Sequence, residues 1–156
     1  VNTNLYNFAP HRCHFSQKLI SFSSTNLMKV EDVMNKRVEF VDANATVLDV
    51  IERLVNKRIR SVVVKPKDER DTHGVVTVRD VVYKCLAKSL DPQKLKAHEI
   101  ASKPLITVEK DLDLEYVLKL MEKFNIARVF VKEKNEIIGV ISLMDIMSAY
   151  LLRRLL

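Results

Sequence analysis

Two short stretches of this chain carry the same reactive side chains at the same spacing. The first holds Gly74, Thr77 and Asp80; the second holds Gly139, Ser142 and Asp145. A hydroxyl and a carboxylate three residues apart suit two tasks. At a helix start they form a capping box, in which each takes a backbone N–H. A cap contributes about 1 kcal/mol and needs no ligand to explain it. Thr46 and Asp49 share the spacing and call for nothing more. The same atoms can also hold a nucleotide. A helix N-terminus offers N–H groups and partial positive charge to phosphate. The hydroxyl donates one more bond, and a carboxylate one turn on accepts from both ribose hydroxyls. Capping leaves the glycines unexplained. Gly74 and Gly139 are the only two in 156 residues, where about 11 are usual. Glycine in a strand marks close approach of a backbone or a ligand.

Other chemistry is sparse. Neither G-x-G-x-x-G nor G-x-x-x-x-G-K occurs, which excludes the familiar dinucleotide and Walker phosphate loops. His11, Cys13 and His14 cluster, but a metal site needs about four ligands and no second cluster completes this one. His73 and His98 stand apart from any nucleophile or repeated carboxylate. No acid–base dyad assembles, so the chain is read as non-enzymatic, with no catalytic cofactor. Cys13 and Cys85 make no disulfide framework, which points to a reducing cytoplasm. Apolar residues at 47% and charged residues at 29% fit a soluble globular chain. No apolar run reaches the roughly 18 residues that would span a membrane. The net charge of +6 favours polyanions without choosing among them. A small nucleic-acid-binding protein is therefore one alternative, although no nucleic-acid-reading motif is present and aromatics are few.

These side chains must be positioned by a repeat. Laid on each other, residues 30–36 match 97–103, 59–65 match 126–132, and 74–80 match 139–145. Both glycines fall at one equivalent place. Each copy opens with a short helix (30–35; 97–102) and an extended apolar segment (38–42; 105–109). An amphipathic helix follows over 46–57 or 113–125, with Val47, Val50, Ile51, Leu54 and Val55, or Leu114, Val117, Leu118 and Met121, on one side. Valine-rich runs at 60–65 and 127–132 predict strands. A second strand (74–78; 137–142) and a last helix (78–90; 143–155) complete each copy. Asp91 and Pro92 end the first. Units of this size bury too little surface alone, so the two must share a core. The expected fold class is α/β (α+β), two β-α-β-β-α motifs in one module.

The lead-in 30–34, the strands 59–64 and 126–131, and both Gly-x-x-[Thr/Ser]-x-x-Asp motifs resemble tandem CBS domains, named for cystathionine β-synthase. The resemblance covers 28–156. It implies two CBS motifs, 28–92 and 93–156, packed through their sheets, commonly as a homodimer. It implies adenosine-containing effectors, of the AMP, ADP, ATP, NAD or S-adenosylmethionine type, in clefts between the motifs. Thr77 and Ser142 would reach phosphate or ribose, and Asp80 and Asp145 would hold ribose hydroxyls. Arg60 and Arg128, at neighbouring positions of the two copies, would face phosphate. Met34, Val38, Ile106 and Thr107 would wall the base. The copies differ: Phe40 stands against Thr107, Met34 against Ala101, and Arg79 against Met144. Unequal clefts follow. Arg79 is either a solvated helix residue or a phosphate contact.

The leading expectation is a stand-alone ligand sensor whose two arrangements bind the ligand with different affinity. With the repeat taking up the chain after Met28, regulation would act on an unidentified partner in trans. An interaction scaffold with vestigial clefts is the other alternative. Residues 1–27 hold no Asp or Glu and begin with Val1, so they read as a mobile tail or a start-site extension. The last helix carries Ile146, Met147, Tyr150, Leu151, Leu152, Leu155 and Leu156 on several sides. Such a helix must be buried; a homodimer interface is the expected place, and a peripheral membrane contact is the alternative.

Overall fold

The computed structural model describes residues 28–154. The expected tail, the cluster of His11, Cys13 and His14, and Leu155 and Leu156 lie outside the described residues. The first repeat comprises α1 (Val30–Val33), β1 (Phe40–Val41), α2 (Val47–Asn56), β2 (Ser61–Val64), β3 (Gly74–Thr77) and α3 (Val78–Lys84). The second comprises α4 (Ala97–Ile100), β4 (Thr107–Glu109), α5 (Leu114–Phe124), β5 (Arg128–Glu133), β6 (Glu136–Ser142) and α6 (Leu143–Arg154). Each repeat forms a three-stranded sheet, β1-β2-β3 and β4-β5-β6. In both, the first pair is parallel and the second antiparallel. The parallel pair needs a crossover, which α2 and α5 provide.

The buried stripe of α2 is Val47, Val50 and Leu54, and that of α5 is Leu114, Val117 and Met121. Val55, expected on the apolar side of α2, is 68% exposed, because one residue past Leu54 the helix has turned it away from the sheet. The stripe spacings of three and four put one apolar face on each sheet. The central strands are buried over Val62–Val64 and Val129–Val131. Val62 and Val64 join the first core, and Val129 and Val131 the second. Val63 and Phe130 are equally buried but point to the opposite sheet face. A strand buried on both faces loses the usual alternation, which is why these runs read as continuously apolar. α3 is shorter than the predicted 78–90 helix. It stops at Cys85 and continues as a 3-10 turn over Leu86–Lys88. The Cys85 thiol is buried and donates to the Leu90 carbonyl at 3.4 Å.

Each lead-in helix docks on the other repeat. Val30 of α1 is fully buried in the second core. Val30 N–H donates to the Leu112 carbonyl at 2.9 Å, Glu31 N–H to Lys110 at 2.9 Å, and Leu114 N–H to Met28 at 3.0 Å. Lys29 Nζ pairs with Asp113 at 2.6 Å. α4 mirrors this arrangement. Ala97 and Ile100 belong to the first core. Ala97 N–H donates to the Ala45 carbonyl at 2.8 Å, His98 N–H to Ala43 at 3.1 Å, and Val47 N–H to Leu95 at 2.9 Å. Sequence order suggests that each lead-in heads its own motif; the fold gives each to its neighbour.

The exchange accounts for the glycines. After α1, Asn35 pairs with Val140 through bonds of 2.8 and 2.9 Å; after α4, Ser102 pairs with Val75 through bonds of 2.9 and 3.0 Å. The chain therefore crosses tightly over β6 and β3. A Cβ at Gly139 would lie 2.7 Å from Met34 Sδ and 3.3 Å from Met34 Cβ. At Gly74 it would lie 2.9 Å from Lys103 Cγ and 3.2 Å from Ala101 Cβ. Neither glycine has positive φ. What each supplies is room for the other repeat's lead-in, not dihedral freedom. A further link ties Lys103 of the second repeat to Asp71 in the β2–β3 loop of the first, within 2.5 Å.

Candidate functional site

Thr77 ends β3 and caps α3. Its hydroxyl accepts the Asp80 N–H at 3.2 Å, while Asp80 Oδ2 accepts the Thr77 N–H at 2.8 Å and the hydroxyl proton at 2.6 Å. Ser142 and Asp145 repeat the box at the β6–α6 junction, with corresponding distances of 3.3, 2.7 and 2.5 Å. Thr46 and Asp49 make a third at the start of α2. Capping thus occupies one oxygen of each carboxylate and leaves the other for further bonds.

That second oxygen distinguishes the repeats. Asp80 Oδ1 pairs with Lys84 Nζ at 2.7 Å. The same ammonium donates to the Ile100 carbonyl at 2.8 Å and to Ser102 Oγ at 3.3 Å. Lys84 therefore ties α3 to the second repeat's lead-in. Burial pushes the Asp80 carboxyl up, but its bonds to Lys84 and Thr77 outweigh this and hold it below the usual range. At the position of Lys84 the second repeat carries Ala149, which offers Asp145 no charge.

A cleft of ≈ 440 Å³ lies between the repeats. Arg60, Thr77, Arg79 and Asp80 line it from the first, and Ser102, Pro104, Leu105, Ile106, Arg128 and Phe130 from the second. One wall is apolar; the rest carries a hydroxyl, a carboxylate and guanidinium groups. Such a pocket suits a flat apolar ring with a polar, anionic tail. Arg128 Nη1 donates to the Arg60 carbonyl at 2.8 Å, which fixes its guanidinium at the junction. Burial is the main influence lowering its pKa; nearby Arg60 and Arg79 act the same way, while Asp80 and Asp145 oppose them. Since Thr77 occupies the Asp80 N–H, attraction for an anion here rests on the arginines more than on the helix end.

Of the residues predicted from sequence, Thr77, Asp80, Arg60, Arg128 and Ile106 come together in this cleft. Ser142 and Asp145 stand at the equivalent place on the second repeat, at the head of α6. Met34 lies in the segment crossing β6, against Gly139, and Val38 follows before β1; neither lines this cleft. Thr107 sits on β4 opposite Phe130. Sequence reasoning passed over Leu105, Pro104 and Phe130. Leu105 was within reach, because it aligns with Val38 in the repeat. Phe130 reads as a core strand residue and gives no other signal. Among the described residues no group of His, Cys, Asp and Glu could hold a metal, and no helix is long and apolar enough to cross a membrane.

Comparison with known proteins bears on both the repeat and the cleft. The CBS domain family matches twice, over residues 30–86 and 97–152. An uncharacterized protein of Methanopyrus kandleri is 31% identical over 123 residues; the match covers 78% of this chain and 62% of that protein's length. A hexameric CBS-CP12 protein from bloom-forming cyanobacteria superposes with a TM-score of 0.72 at 33% identity, covering 78% of this chain and 70% of the other. A CBS domain protein of Pyrobaculum aerophilum, solved in complex with AMP, gives a TM-score of 0.70 at 28% identity, covering 81% and 97%. Two family matches at the repeated motifs, on a fold shared with CBS-pair structures, place this chain in the CBS-domain family as a tandem pair.

Proposed function

We propose that this chain is a non-catalytic regulatory module of a reducing cytoplasm that binds an adenosine-containing ligand between its CBS motifs. One observation carries the reading: a cleft at the motif junction joins an apolar wall to Thr77, Asp80 and three arginines. The similar Pyrobaculum protein bound to AMP supports it. The base would lie against Ile106 and Phe130, with Thr77 and Asp80 toward the ribose. Ser142 and Asp145 would serve a second, unequal cleft. Because Lys84 and Arg128 reach from one repeat to the other, a ligand drawing on Asp80 and Arg128 changes the bonds that hold the two together. That difference is what a partner acting in trans would read.

Self-association accompanies this reading. Ile146 of α6 packs on the second core, but Met144, Met147, Tyr150, Leu151 and Leu152 are exposed. An apolar patch on this scale favours a second copy. The test is calorimetric titration with AMP, ADP, ATP, NAD and S-adenosylmethionine, on wild type, Asp80→Ala and Asp145→Ala, with sedimentation of the same samples. At least one ligand should bind, one aspartate change should remove it, and the wild type should sediment as a dimer or larger. Absence of binding by all five ligands would refute the sensor and favour an interaction scaffold.

A further inference from the structure

The charges lining the first cleft do not cancel. Arg60, Arg79 and Arg128 share one cavity. Of the two carboxylates that act on Arg128, Asp80 is already paired with Lys84 at 2.7 Å. Its other oxygen is held by Thr77. Lys84 is not free to move off at little cost, since Ile100 and Ser102 also accept from its ammonium. The three guanidinium groups are therefore met in the cleft lining by one carboxylate, Asp80, whose charge Lys84 already offsets. Asp145, outside that lining, opposes only weakly the influences on Arg128. Arg60 and Arg79 repel Arg128, which is half-buried and pinned to the Arg60 carbonyl. An anion entering the cleft relieves that repulsion. A cation adds to it. The ribose side weakens in parallel, because a diol donating to Asp80 Oδ1 must share that oxygen with Lys84.

Building on the nucleotide reading above, we propose that this cleft selects adenosine ligands by phosphate charge. Phosphorylated nucleotides are favoured over neutral adenosine, and adenosine over the cationic sulfonium of S-adenosylmethionine. Arg79 is the specificity residue, and Lys84 keeps Asp80 from cancelling the arginines. The second repeat carries Met144 in place of Arg79 and Ala149 in place of Lys84. Arg79→Met thus installs a side chain that the same fold already carries at this position.

The experiment is calorimetry with ADP, adenosine, S-adenosylmethionine and inorganic tripolyphosphate on wild type, Arg79→Met and Lys84→Met, with thermal melts to confirm folding. ADP should bind about tenfold or more tighter than adenosine, the scale of one charge-assisted bond. The gap should narrow as salt rises. Arg79→Met should remove most of it and leave adenosine unchanged. Lys84→Met should move the two ligands oppositely, weakening ADP and strengthening adenosine, because Asp80 Oδ1 is then released. Equal binding of ADP and adenosine, or an unchanged ratio in Arg79→Met, overturns the proposal. Tripolyphosphate binding that Arg79→Met abolishes, with no binding of any adenosine compound, would uphold the charge selection and refute the nucleoside reading. Binding of none of the four would overturn both.

Discussion

The contact between Gly139 and Met34 joins the two repeats at one atom's width, and Gly139→Ala measures it. An added Cβ would meet Met34 Sδ at 2.7 Å, Cγ at 3.2 Å and Cβ at 3.3 Å. The thioether can rotate away, but Met34 Cβ is fixed by a backbone whose next residue is hydrogen-bonded to Val140 on both sides. Overpacking of this kind costs about 1–3 kcal/mol. Alanine recovers about 0.4–1 kcal/mol of that, because it restricts the unfolded chain and the backbone here has no positive φ. A net loss of about 1–2 kcal/mol remains, or roughly 4–8 °C in Tm. The companion change is Met34→Ala, which copies the residue at the equivalent place, Ala101. Alone it destabilises by removing a side chain packed on the second core. Combined with Gly139→Ala it should cost clearly less than the sum, by about 1 kcal/mol or more. Urea denaturation of the four proteins measures the coupling. Strict additivity would refute the crossing as the reason for the glycine.

Two further predictions rest on separate features. Arg58 holds φ 52° two residues past the end of α2, at the repeat position where the second copy has Asn125 at φ 50°. Asparagine and glycine tolerate this left-handed conformation better than arginine. Arg58→Asn should therefore raise stability by about 0.5–1 kcal/mol in urea melts, and a loss would show that the arginine side chain matters more than its backbone. The Lys103 ammonium, with the Lys67 and Thr72 amides, lowers the Asp71 carboxyl from its usual 3.8 to about 2. Between those values the unfolded chain binds more protons than the native one, so stability from this pair is complete above pH 4 and fades toward pH 2. Asp71→Asn should flatten that part of a stability-against-pH curve, and an unchanged slope would show that the pair is inert.

The repeat was legible because equivalent positions face equivalent packing. Val62–Val64 and Val129–Val131 are buried on both faces, so both copies retain unbroken apolar runs. The caps at Thr77 and Ser142 are local, formed within three residues, and their spacing announces them. The exchange of α1 and α4 was not legible. Val30 and Ala97 are apolar whichever core receives them, and nothing in their own pattern names the partner. Lys84 was hidden for a related reason. It reads as a basic residue in the last turn of a helix, a common arrangement that satisfies the dipole. Only the placement of Ile100 and Ser102 beside it shows what it holds. Long-range juxtaposition, not local pattern, separates the two aspartates.

The exchanged lead-ins also impose a schedule on synthesis. α1 leaves the ribosome well before its docking segment around Leu112, which follows roughly eighty residues later. At about 5–20 residues per second, Val30 waits some 4–16 seconds for its burial site. The first core stays open until Ala97 and Ile100 arrive to close it. A ribosome paused between the repeats would therefore display an unfinished apolar surface at both ends of the first motif, and a chaperone would find its target there.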